Sequence, residues 1–273
     1  MASLFFYKKK DETNIFDLIY FKDGKLELEE IKNILEGKSA KYNSDKIFNE
    51  EGYTQIVVDL EKGLLSSTYI FKNKLGQYTT IEYDDKDDEL KIKRNPYFYF
   101  GQSRLLVKDD LNIMVKANYS SEESSKGKCL LFLDEIGIDI ESVKFSNEVF
   151  KYIKDNYNWK RIKLQRIERE KDSTKNISYE VDPSSDKESE VDKIYSECGV
   201  FESIAFNIPF IDSVYLVKLY RADHKVTVDE SQFKTKELFE EFCLYLMSEI
   251  MSIIHNETLL NEGNGELDNE GDD

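Results

Sequence analysis

From Thr54 to Lys108 the chain repeats one pattern: short runs rich in β-branched and aromatic residues, separated by turn-forming residues. The clearest run is Thr54-Gln55-Ile56-Val57-Val58-Asp59-Leu60. Runs at 67–71, 78–83 and 89–93 follow, divided by Gly63, Gly76 and an acidic cluster at 84–88. Runs bounded in this way read as strands, and their spacing predicts an antiparallel meander. Asn95-Pro96 is expected to break the pattern, since proline has no N–H for a ladder. Residues 97–100 and 103–108 then resume it.

Helical stretches punctuate the strands. Gly24 sits in a predicted turn, and 26–36 reads as a helix with Leu28, Ile31, Ile34 and Leu35 on one face. Residues 143–157 place Val149, Phe150, Ile153 and Tyr157 in helical phase. Residues 130–133 and 160–170 read as strands, as does 214–220. The strongest helix is 235–255, with Thr235 as its N-cap. Phe239, Phe242, Leu246, Ile250 and Ile253 form one apolar stripe. Cys243, Met247, Met251 and Ile254 form another beside it. A helix apolar over so much of its girth is buried on two sides or packs on a partner. Phe239, Phe242, Leu246, Ile250 and Met247 are therefore candidate interface residues.

These elements predict an α+β fold. Residues 1–170 form an N-terminal antiparallel β-rich domain with a few helices. Residues 171–192, polar and containing Pro183, are a linker or surface loop. Residues 193–256 form a smaller strand–helix part ending in the long amphipathic helix. Residues 257–273 carry seven acids and no Lys or Arg, which predicts a solvated, flexible tail.

Chemistry is sparse. The only histidines are His224 and His255, in a turn-like stretch and near a helix end. Most side-chain catalysis near neutral pH uses histidine, an activated nucleophile or a metal. Cys129, Cys198 and Cys243 are scattered, with no CxxC pair to argue for zinc or a disulfide framework. No Gly-x-Ser-x-Gly elbow occurs. The run Leu130-Leu131-Phe132-Leu133-Asp134-Glu135 has the form of a strand delivering acids to Mg²⁺ in a nucleotide site. Its required partner, GxxxxGK[ST], is missing. Gly37-Lys38-Ser39 is the one Gly-Lys-Ser, but Lys32 stands where the first glycine belongs, and the segment follows a helix instead of preceding one.

Two constellations remain. A metal-dependent nuclease of restriction type would use Asp59 at the end of one strand with Glu89 and Lys91 on another, the carboxylates holding Mg²⁺. Alternation puts Glu89 and Lys91 on one face. The second is electrostatic. The formal net charge is −17, which repels nucleic acid on average. Yet 151–171 holds eight basic residues against three acids, with the single tryptophan inside it. Basic side chains neutralise phosphates and aromatic rings stack on unpaired bases. Lys160, Arg161, Lys163, Arg166, Arg169 and Trp159 are thus candidate nucleic-acid contacts. In a strand, Arg161, Lys163 and Arg169 would share one face. The bland reading is a solvated strand paired to the chain's own acids, with Trp159 as a core anchor.

The leading expectation is a non-enzymatic interaction protein that binds a protein partner, a second copy of itself or nucleic acid through 151–171. It needs no cofactor and no metal, Mg²⁺ entering only with the nuclease alternative. An acidic decoy that mimics DNA to occupy a basic protein is a third class. The apolar start precedes Lys8-Lys9-Lys10, the reverse of a secretory signal, and no run reaches the ~18 apolar residues of a membrane span. A cytoplasmic, soluble protein is expected. Its Lys-, Asn-, Ile- and Tyr-rich composition points to an AT-rich bacterial or phage genome.

Overall fold

The computed structural model describes residues 1–10, 17–84, 89–182 and 189–265. The chain divides into two compact units, one of residues 9–140 and one that joins 1–8 to 141–273. The boundary expected near 170 is therefore displaced to 140, and the first strand belongs with the later part of the chain. Composition located a polar excursion, whereas the units part where few contacts cross.

The first strand is β1 (Ala2–Lys9). In the 9–140 unit, α1 (Asp17–Tyr20) leads into the short hairpin of β2 (Phe21–Lys22) and β3 (Lys25–Leu26). The hairpin turns on Asp23 and Gly24, both at positive φ (52° and 78°). An Asp-Gly pair suits that turn, because two consecutive left-handed residues match the strand twist. Helix α2 (Leu28–Glu36) buries Leu28, Ile31 and Leu35, the predicted face. Four antiparallel strands follow: β4 (Gly52–Asp59), β5 (Leu64–Asp84), β6 (Glu89–Lys108) and β7 (Ile113–Ala117).

The predicted runs at 67–71 and 78–83 are thus one strand of 21 residues, and those at 89–93, 97–100 and 103–108 one strand of 20. Gly76 is not a turn but sits at a register shift in β5, and Pro96 lies within β6 opposite Gln77. Proline is tolerated there because β6 pairs with β7 only over 103–107, leaving the other edge of 89–102 without a described partner. Gly101, opposite Phe71 in the ladder, leaves room for that ring: a Cβ there would fall 2.5 Å from it.

Next come α3 (Ser120–Glu123), a 3₁₀ turn (Lys128–Leu130) and α4 (Leu131–Glu135). The run at 130–133 is therefore helical, not a strand, with Phe132 and Leu133 buried and Leu131 exposed. Short apolar runs carry no period that separates the two states.

In the composite unit, β8 (Ile140–Ser142) pairs with β1, and the Val143 amide donates to the Phe6 carbonyl. Helix α5 (Asn147–Asn156) starts at Ser146, whose hydroxyl accepts from the Val149 amide. Then follow β9 (Trp159–Gln165), β10 (Asn176–Glu180), α6 (Glu190–Tyr195), β11 (Val200–Phe210), β12 (Ser213–Tyr220), β13 (Lys225–Val228) and α7 (Lys236–Gly265). The strands form an antiparallel sheet in the order β10-β9-β11-β12-β13-β1. The expected 171–192 linker contains β10 and the start of α6: β10 pairs along β9, and α6 closes on it through the Tyr179 hydroxyl, which donates to Asp192. Residues 183–188 lie outside the described residues.

One face of this sheet carries the core. Phe150 of α5 stacks on Phe201 of β11, centroids 5.6 Å apart. Tyr215 stacks on Phe233 at 4.2 Å, and Phe239 and Phe242 meet that pair. Phe239, Phe242, Leu246, Met247 and Ile250 are all at most 3% exposed within their own chain. They are core residues, which corrects their assignment to an interface. The helix needs two apolar stripes because sheet residues and α5 cover it on both sides. Thr235 caps α7 as expected, accepting from the Leu238 amide. The helical backbone runs on to Gly265, into the stretch expected to be a flexible tail, and 266–273 lie outside the described residues.

Replacing Leu246 with Asp should destabilise this unit by about 3 kcal/mol or more, the cost of burying an unpaired charge. Chemical denaturation should show the loss, and a variant as stable as wild type would contradict the core assignment.

Candidate nucleic-acid interface

Strand β9 is shorter than expected. It ends at Gln165, and Arg166 turns off it at φ 53°. Ile162 and Leu164 point to the core, so Arg161 and Lys163 point to the open face of the sheet. The expected alignment of Arg169 with them does not form. Arg169 lies beyond the strand, 5.7 Å from the Tyr195 ring and 3.7 Å from Asp172.

Registers decide which of the predicted contacts converge. Phe206 of β11 pairs with Trp159, and its neighbour Ala205 pairs with Arg161. Lys160 is the extra residue of a β-bulge. A bulge of this kind turns two successive side chains toward one face. Lys160 and Arg161 therefore share the open face, while Trp159 follows Phe206 to the other side. There its ring meets Tyr179 edge-on at 6.0 Å. Trp159 is an anchor beside the core, not a stacking platform among the cations.

Most of the basic segment is tied to the chain's own acids. Lys151 pairs with Glu197, Lys154 with Asp192 (2.8 Å), Arg161 with Glu180 and Lys163 with Glu202 (2.7 Å). Lys160 has no ion partner among the described residues. It lines a groove of about 460 Å³ with Arg161, Lys218, Tyr220, Thr227 and Asp229. Lys218 sits 4.5 Å from the Tyr220 ring and likewise has no described carboxylate partner. Ser3, Thr227, Lys218, Ala205, Arg161 and Glu180 are paired in one row across β1, β13, β12, β11, β9 and β10. Small residues in the middle of that row leave a trough between the long side chains. Thr227 is 6% exposed, and its hydroxyl has no hydrogen-bond partner among the described residues. At the rim, the Ser231 amide holds the Asp229 carboxyl below the usual carboxylate range.

Lys218 escaped the sequence reading because it stands alone in an otherwise uncharged strand, far along the chain from the basic cluster. Its signal was that isolation: one cation in the alternation of 214–220.

The nuclease residues do not meet. Asp59 pairs with Leu64 at one end of β5, while Lys91 pairs with Glu82 and Glu89 with Asp84 at the other. Nearly the whole of β5 separates them, on the order of 60 Å at ~3.3 Å per residue. Asp59 instead accepts from the Lys62 amide within the β4–β5 turn. Among the described residues no cluster of His, Cys, Asp or Glu is placed to hold a metal.

The two fragments of the nucleotide motif do approach each other, but as ion pairs. Lys38 pairs with Glu135, Lys41 with Glu50 (2.7 Å) and Lys128 with Glu51 (2.7 Å), around one surface pocket. Gly37 follows the C-terminus of α2, its amide donating back to Asn33, so no amides cradle a phosphate. Of the other candidates, His224 Nδ1 accepts from the Phe145 amide, His255 is exposed, and burial pushes the Cys129 thiol up to about 12.

In the free protein Thr227→Val should be neutral or stabilising by about 1 kcal/mol, since it removes a buried hydroxyl without a partner. Thermal unfolding measures this, and a clear loss of stability would show that the hydroxyl is already engaged. No protein-family model matches the chain, and no curated protein matches it.

Proposed function

We propose that the chain is a non-enzymatic interaction protein that holds the phosphate backbone of a nucleic acid on the open face of its composite-unit sheet. The observation that carries this reading is the convergence of Lys160 and Lys218 on one groove beside Arg161. Both cations lack a described carboxylate partner, in a chain with a large acidic surplus. A phosphate between them replaces the missing counter-charge. The contact is local, because the net charge of −17 opposes nucleic acid over the rest of the surface. The site thus shifts from the 151–171 segment as a whole to Lys160, Arg161 and Lys218.

Fluorescence anisotropy with labelled single-stranded and duplex oligonucleotides at low salt tests this. Lys160→Glu with Lys218→Glu should abolish binding. Lys160→Ala alone should lower the log–log salt slope by ~1 unit per lost phosphate contact. Trp159→Phe and Lys151→Ala should leave affinity within about twofold, since neither lies on the groove. No binding at low salt, or binding indifferent to Lys218, would overturn the reading.

A further inference from the structure

The groove of the composite-unit sheet does not end at its cations. Along β12 the open face carries Val214, Leu216, Lys218 and Tyr220, since Tyr215, Val217 and Leu219 between them are buried. Val214 and Leu216 are 61% and 36% exposed. Across the strand pair, Pro209 stands opposite Val214 and Asn207 opposite Leu216. Both lie on the open face, because Phe206 and Ile208 are turned to the core. The groove lined by Lys160 and Lys218 also takes in Leu216. One continuous surface thus has cations without a described carboxylate partner at one end and a small apolar shelf at the other.

Two polar groups flank the shelf. The Asn207 side-chain amide makes no hydrogen bond among the described residues, so its donor and its acceptor are both open. Asp229 follows Val228, which pairs with Val217, so it stands level with Leu216 on the other side. Its carboxyl accepts from the Ser231 amide at 3.0 Å, which holds it below the usual carboxylate range. Charge therefore reverses along the groove, from Lys160 and Lys218 to Asp229.

Resting on the reading of this groove as a phosphate site, we infer that its occupant is a single-stranded nucleic acid. One phosphate lies at Lys160 and Lys218, and its base lies on Leu216 and Val214 with the Asn207 amide at its edge. Leu216 and Lys218 are two residues apart, about 7 Å at ~3.3 Å per residue, the reach of one sugar between a phosphate and its base. A duplex offers the cations the same phosphates. It keeps its base faces stacked and its pairing edges occupied, so shelf and amide would gain nothing. Asp229 sets the direction, since it repels a phosphate from the shelf end and accepts from a base amino group. An anionic lipid also joins a phosphate to an apolar body. Its acyl chain has nothing to bond Asn207 or Asp229 and would leave both facing hydrocarbon.

Fluorescence anisotropy of the full chain at low salt provides the test, with three probes: a single strand, its duplex, and an abasic strand of the same length. The single strand should bind about tenfold tighter than either of the others, because only it buries a base on the shelf. Val214→Thr with Leu216→Thr keeps β-branched residues at two exposed strand positions. It should bring the single strand down to the affinity of the abasic strand. Abasic binding and the salt slope of both should stay unchanged, since no phosphate contact is lost. Asn207→Ala should alter the preference among strands of different base, again at constant slope. Equal binding of all three probes by the wild type overturns the inference and leaves the phosphate reading standing. Threonine variants that weaken all three probes alike overturn it too, as does a single strand displaced more readily by phosphatidylserine vesicles than by unlabelled strand. No binding of any probe overturns both readings.

Discussion

Side-chain alternation in the antiparallel sheet of the composite unit governs everything the chain offers to solvent there. Each strand must surrender every second side chain to the face that α5 and α7 cover, where Ile162, Leu164, Phe206, Val217 and Leu219 lie fully buried. Only the intervening positions remain for polar or charged groups, and register alone decides which of them become neighbours. A one-residue irregularity therefore has a large effect. The bulge at Lys160 separates Trp159 from Arg161 and gives the open face one more cation. Without it, the tryptophan would join Arg161 on the open face and Lys160 would turn toward the core.

The helix-covered face imposes the complementary demand. Aromatic rings fill the space between sheet and helices: Phe201 on Phe150, and Tyr215, Phe233, Phe239 and Phe242 in one cluster. Flat rings at 4–6 Å make contacts that small aliphatic side chains cannot reach. Polar tips within this layer keep their partners, as where the Tyr157 hydroxyl donates to Glu249 at 2.5 Å. The abundance of Phe and Tyr is thus spent on packing in the composite unit and on exposure along the β5–β6 hairpin.

Much of the fold is legible in the sequence, and the failures have physical causes. The strands near 54–60, 160–165 and 214–220, α2, α5 and the start of α7 follow from periodicity and caps, whereas β7, β10, β11 and β13 do not. The two long strands were read as five short ones, because glycine and proline were given their usual weight as breakers. In a two-stranded ribbon with open edges neither residue costs a ladder bond that matters. The domain boundary was misplaced because polarity marks surface, and β10 with α6 is a polar surface of the sheet, not a joint. For the proposed groove, local charge clustering points to Lys160 and Arg161. Lys218 depends on two strand registers, β9 with β11 and β11 with β12, that no local window contains, and the fates of Arg169 and Trp159 turn on where β9 ends and bulges. The apolar stripes of α7 identified a doubly covered helix without distinguishing its own sheet from another molecule.

The pairing of β1 with β13, Ala2 opposite Val228 and Phe5 opposite Lys225, spans most of the chain. Contacts of such sequence separation carry a high loop-closure cost and form late. During synthesis β13 follows β1 by more than 200 residues, so this pairing waits until both units have been made up to Val228. The 9–140 unit, by contrast, has all its strands within reach of one another and can complete its hydrogen-bonded ladder while its neighbour is still being synthesised. The sheet of the composite unit is therefore completed after that of the 9–140 unit: β8 pairs with β1 directly after that unit, but the edge of β1 that takes β13 stays open until residues 225–228 have been made.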